Sequence, residues 1–193
     1  MMRRGLWIAM GVVAVIVLAG LLVFGSYVSA RNQMVAKQEG VSEAWSNVQT
    51  QLQRRADLIP NLVATVKGYA QHEEAVFADV DKARESLLAA RDPRSAMAAN
   101  GHLDSALGHL LAISENYPDL KANQNFLELQ DQLEGTENRI TIARERYNNT
   151  IRDYNTFIRQ FPNSVWAGIA GFQPNNAYFN ASPASQNAPQ VKF

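Results

Sequence analysis

The chain has 193 residues, with 18 basic side chains balanced by 18 acidic ones and no cysteine. The balance leaves no basic footprint for nucleic acid. The missing thiol excludes a disulfide, a thiolate metal site and a cysteine nucleophile. With an apolar N-terminus and a polar C-terminus set aside, about 130 residues remain, enough for one hydrophobic core and one domain.

After a short flank (residues 1–5), residues 6–28, LWIAMGVVAVIVLAGLLVFGSYV, carry no charge and are mostly aliphatic. As a helix rising ~1.5 Å per residue, this run exceeds the roughly 30 Å hydrocarbon thickness of a bilayer. It reads as one transmembrane anchor, which makes the lipid bilayer a partner. Val28-Ser29-Ala30 also has the small-residue spacing of a signal-peptidase site. The run is longer than the roughly 7 to 15 residues of a signal h-region, however, so the uncleaved anchor is preferred. Arg3, Arg4 and the terminal amine precede the span and Arg31 and Lys37 follow it. The positive-inside rule therefore leans, by one charge, toward an external or periplasmic soluble part of an inner-membrane, single-pass protein.

Helical periodicity governs the rest. Val41, Val48, Arg55, Leu62 and Tyr69 recur every seven residues, with Trp45, Leu52, Ile59 and Val66 four residues after the first four. This is one helical seam. The first soluble helix is predicted to end near Ala56, with Asp57 capping a second in whose first turn Pro60 is tolerated. The alternative is one helix kinked at Pro60, because the frame survives from Met34 to Leu87. The second helix is predicted to reach Arg91, with Val76, Val80, Ala83 and Leu87 facing inward, and Asp92-Pro93 opens a third running to Tyr117. In it Gly101-His102 and Gly108-His109 repeat at seven residues. Each glycine costs a helix about 1 kcal/mol relative to alanine, which points to close approach of a neighbour or to simple tolerance. A fourth helix follows Tyr117-Pro118 and ends before Pro162. Phe126, Leu133, Ile140, Tyr147, Tyr154 and Phe161 form one row, and Leu129, Thr136, Ala143, Thr150 and Phe157 the other. The expected fold is all-α: a single N-terminal transmembrane helix, then an antiparallel up-and-down four-helix bundle over 31–162. Residues 163–179, with Trp166, Phe172, Tyr178 and Phe179, are expected near the bundle base or the membrane. The polar tail 180–193 is expected to be disordered.

Motifs for chemistry are missing. His72-Glu73-Glu74-Ala75-Val76 begins like a metalloprotease helix but has Val76 where the second histidine ligand belongs. A di-iron bundle needs Glu three residues before His, where Tyr69, Ala99 and Ala106 stand. His102 and His109 lie about 10 Å apart along a helix, too far to share a metal, and suit a solvated face, with pH sensing as the alternative. No nucleophile elbow or phosphate-cradling loop is present. No catalytic, cofactor-binding or metal residue is therefore assigned. What remains is polar: Arg54, Arg55, Asp57, Glu73, Gln130, Glu137 and Arg144 interrupt or flank the seams. They fix helix register by pairing or line a groove for a partner. Tyr147, Asn148, Tyr154 and Asn155 repeat at one heptad and serve core packing or form a recognition strip.

Several long blocks occur in a specific order: AWSNVQTQLQRRADLIPNLVATVKGYAQHE, ENYPDLKANQNFLELQDQLEGTENRI, ARERYNNTIRDYN, and Phe161-Pro162. Over residues 31–179 they resemble the LemA family of bacterial membrane-anchored helical proteins, and Arg54, Arg55, Asp57 and Glu73 fall in the first block. The resemblance implies a retained anchor and no particular activity. The expected function is thus a non-enzymatic membrane-anchored scaffold or interaction protein of the cell envelope, its protein partner unidentified. Two alternatives stand beside it: an accessory subunit of a membrane protease or signalling complex, and a self-assembling homo-oligomer.

Overall fold

The computed structural model describes residues 2–180, and the polar tail beyond them lies outside it. Among the described residues there are six helices and no strand: α1 (Met2–Lys67), α2 (Glu74–Ala89), α3 (Pro93–Ser114), α4 (Pro118–Lys121), α5 (Gln124–Arg159) and α6 (Asn163–Ala170). The chain divides into two compact units. One holds the residues up to Val41 together with Arg152–Asn175; the other holds Ser42–Ile151 and the chain from Asn176.

In the first unit, α1 is long and apolar enough to cross a membrane, and its most apolar stretch is wholly unburied. Val12, Ile16, Leu18, Leu21, Leu22 and Phe24 are all exposed. Burial begins at Ala30 and Met34, and on α5 it takes in Tyr154 and Ile158. Lys37 places its ammonium 5.3 Å from the centre of the Phe157 ring. The α5 row stops short of its expected end: the helix finishes at Arg159, and Phe161, beyond it, is 85% exposed. α6 closes with Gly171 in the left-handed region at φ 77°, where a glycine carries no Cβ penalty and its N–H donates to the Ala167 carbonyl.

In the second unit, residues 42–67 of α1 bury Val48, Leu52, Ile59, Leu62 and Val66, as the seam requires. The predicted break near Ala56 does not occur; α1 continues through Pro60 to Lys67. A proline inside a helix removes the N–H that would bond four residues back, orphaning the Ala56 carbonyl. That carbonyl accepts instead from Arg84 Nε of α2 at 2.9 Å. Pro60 itself is exposed, so its ring meets no neighbour's core. Helix α2 consequently starts at Glu74, after a turn in which Tyr69 and Ala70 both donate to the Val66 carbonyl. Tyr69 lies past the helix end, 40% exposed and off the seam; its hydroxyl accepts from Asn123 Nδ2 at 2.9 Å.

Helix α3 is started by a capping box in which Asp92 accepts from the Arg94 and Ser95 N–H groups while Ser95 Oγ accepts from the Asp92 N–H. It ends at Ser114, sooner than expected, because a turn at 115–117 and Pro118 open the short α4, whose Leu120 is fully buried. Asn123 Oδ1 then accepts from Phe126 N–H at 3.0 Å at the head of α5. Phe126, Leu133, Ile140 and Tyr147 are buried as a row, with Thr136 and Ala143 beside them. Gly101 and Gly108 face open space, so they are tolerated rather than required by a close neighbour. His102 and His109 are exposed beside them.

Candidate functional site

The second unit holds Arg55, whose place in an otherwise apolar seam leaves its side chain 7% exposed. Burying this cation without partners would be costly, and three side chains meet it. Nη1 donates to Asn100 Oδ1 at 2.8 Å and to Glu137 Oε2 at 2.5 Å; Nη2 reaches Asp104 Oδ1 at 2.6 Å. Asn100 Nδ2 in turn donates to Asp104 Oδ2 at 3.0 Å. One arginine of α1 thus ties together α3 and α5, using the planar fork that a lysine lacks. Arg55 Nε is buried without an acceptor among the described residues.

Arg144, two turns beyond Glu137, supplies the second positive charge. Burial pulls its guanidinium below the ordinary arginine value, while Glu137 and Asp104 pull it back up. Its guanidinium carbon sits 5.4 Å from the centre of the Phe179 ring. Two cations therefore face two carboxylates, and the bonds from Arg55 to α3 and α5 suit holding those helices in register. Arg144 Nε, like Arg55 Nε, is buried without an acceptor among the described residues. The Asp104 and Glu137 side chains remain partly exposed, at 46% and 38%.

Phe179 belongs to an aromatic cluster. Its ring lies 5.4 Å from Tyr147 and 6.0 Å from Trp45, and Trp45 lies 5.9 Å from Tyr147. Asn148 holds this segment in place: Nδ2 donates to the Phe179 carbonyl at 2.8 Å and Oδ1 accepts the Phe179 N–H at 2.9 Å. In the first unit Asn155 grips Asn175 in the same two-bond manner, at 2.6 and 2.8 Å, and the Tyr154 hydroxyl donates to the Gln173 carbonyl at 2.9 Å. An asparagine amide matches one residue's N–H and C=O, so each clamp recognises backbone rather than a side chain. Burial raises the phenol pKa of both Tyr147 and Tyr154, keeping them protonated.

Of the polar seam read from sequence, the structure brings together Arg55, Glu137 and Arg144. Arg54 and Asp57 are exposed, and Asp57 accepts from Gln53 one turn earlier. Glu73 precedes α2, its backbone carbonyl accepting from Val76 and Phe77, and Gln130 is half-buried. Asn100 and Asp104 escaped sequence reading; their four-residue spacing places them on one face of α3, the only signal available. The strip of Tyr147, Asn148, Tyr154 and Asn155 is turned to its own chain, with both rings buried and both amides on backbone.

The sequence profile of the LemA family matches residues 44–193. The chain is also 28% identical to the magnetosome protein MamQ of Magnetospirillum gryphiswaldense, over 83% of this chain and 69% of that protein. It is 27% identical to the magnetosome protein MamQ 1 of Paramagnetospirillum magneticum, over 79% and 65%. With protein LemA of Metamycoplasma hominis the identity is 26%, over 70% and 62%. The chain thus spans 62% to 69% of the length of these relatives.

Proposed function

The chain belongs to the LemA family, and from that premise we propose that it is a single-pass, non-enzymatic scaffold of the cell envelope. The single observation that carries this reading is the unburied apolar stretch at the start of α1, continuous with a helix that buries one seam further on. No reaction appears in the relatives' names, and the charges around Arg55 are spent on one another. The soluble part is read as an antiparallel four-helix bundle of residues 42–67, α2, α3 and residues 124–151. Arg55 tying α1 to α3 and α5, and Arg84 tying α2 to α1, support that arrangement.

In this reading the Arg55 cluster fixes helix register. The exposed polar face that includes Arg54 and Asp57 is left for a protein partner on the external side of the inner membrane. Membrane fractionation tests the anchor. The full chain should stay in the pellet after alkaline carbonate extraction, at an intact mass that includes residues 1–30. Release into the supernatant, or a mass showing cleavage after Ala30, would contradict it.

A further inference from the structure

Helix α6 carries an apolar face left exposed among the described residues. Val165 is 49% exposed and Ile169 is 66% exposed, at the four-residue spacing that puts both on one side. Phe161, in the turn before the helix, is 85% exposed. Soluble surfaces dilute such residues with charge. Here no acidic, basic or histidine side chain occurs between Arg159 and Lys192. The neighbouring position, Trp166, lies against Tyr27, ring centres 5.7 Å apart and edge to face. Tyr27 stands at the end of the apolar stretch of α1, so α6 sits where that stretch meets the buried part of the same unit. Tyrosine and tryptophan at one level mark the boundary between hydrocarbon and headgroups.

We infer that α6 is an interfacial foot: a short helix lying in the headgroup region of the bilayer, with Val165 and Ile169 turned into the lipid. A helix of this kind inserts its apolar side to the depth of the acyl boundary while its polar side stays wet. On α6 the polar contribution comes from Asn163 and Ser164. The absence of charge makes attachment to the surface a matter of apolar area, so it proceeds on zwitterionic lipid. The inference rests on α1 spanning the bilayer. It adds a second point of contact, which restrains the tilt and rotation of the body relative to the membrane plane.

The chain has no cysteine, so single cysteines can carry a nitroxide at chosen positions. The full chain is placed, one copy per disc, in phosphatidylcholine nanodiscs, with the label at Ile169→Cys, Leu18→Cys or His102→Cys, and collisions with oxygen and with a water-soluble nickel chelate are measured. The ratio of oxygen to nickel collisions is expected to be several-fold higher at position 169 than at position 102, and higher again at position 18. A ratio at 169 equal to that at 102, with position 18 still deep, overturns the foot and leaves the span intact. Equal aqueous ratios at all three positions overturn the span itself. Shielding at 169 that appears only when discs hold two copies would assign the face to a second chain and overturn the lipid contact.

Discussion

The two ends of α1 share one backbone and differ in how apolar side chains are distributed around it. From residue 10 to residue 24 the large apolar residues occupy every side and all are exposed; from residue 42 to residue 67 they gather toward one side, where Val48, Leu52, Ile59, Leu62, Val63 and Val66 are buried and Trp45 and Leu58 half-buried. An all-round apolar helix is stable only in a solvent as apolar as itself, whereas a one-sided helix needs neighbours of its own chain. The pattern around the circumference, more than the total hydrophobicity, separates a segment built for lipid from one built for packing.

The contrast is broken most severely by charging the first segment. Ile16→Asp together with Leu18→Arg adds two charges, each costing about 2.5 to 3.5 kcal/mol at the centre of a membrane helix. The expected outcome is loss of the chain from the carbonate-resistant fraction, with the helical content of the body retained by circular dichroism. A pair of matched truncations sharpens it. Leu62→Ala, at a fully buried position, is expected to cost about 3 kcal/mol in denaturant unfolding of the body, while Leu18→Ala leaves that transition unmoved.

Within the packed segment, Arg55→Ala is expected to cost about 2 to 3 kcal/mol, below the largest values for broken buried pairs, because Asp104 and Glu137 can rehydrate. Arg55→Lys should recover only part of this, since an ammonium cannot serve both carboxylates and Asn100 as a fork does. Arg84→Ala is expected to cost about 1 kcal/mol by stripping the Ala56 carbonyl of its donor. The same change made in a Pro60→Ala chain should cost less, because the restored N–H at position 60 takes that carbonyl back; this non-additivity is what a double-mutant cycle reads.

The smallest effect is alkaline. Tyr147 and Tyr154 have phenol pKa values raised by burial, so the stability they contribute is complete below the unfolded tyrosine value of about 10 and is lost as pH rises through the folded values. Unfolding midpoints measured across that window should fall with pH, with less dependence in a Tyr147→Phe, Tyr154→Phe chain.

The seam of residues 48–66 was legible because a helix buries what its period brings to one side, a property of local sequence. The long α5 row was legible for the same reason as far as Tyr154. It failed at Phe161 because periodicity does not register where a helix ends. The continuity of α1 through Pro60 was legible in the unbroken frame only as the alternative to a break, since the donor that repairs it comes from Arg84 in another helix. The Arg55 cluster was half legible. An arginine in an apolar seam announces that partners exist, but the partners lie 45 and 82 residues away in the chain, where no spacing rule reaches. Asn148 and Asn155 were read as a strip, while what they bind, the backbone at Phe179 and Asn175, depends on where the segment after α6 returns.

One unbroken helix carries both the all-round apolar stretch and the buried seam. Hydrogen–deuterium exchange of the full chain in lipid nanodiscs, followed peptide by peptide across residues 10–67, tests it most directly. Slow exchange is expected throughout, including residues 29–41 and the turn before Pro60. Rapid exchange in 29–41, or a fast-exchanging gap at 55–60 separating two protected segments, would contradict it.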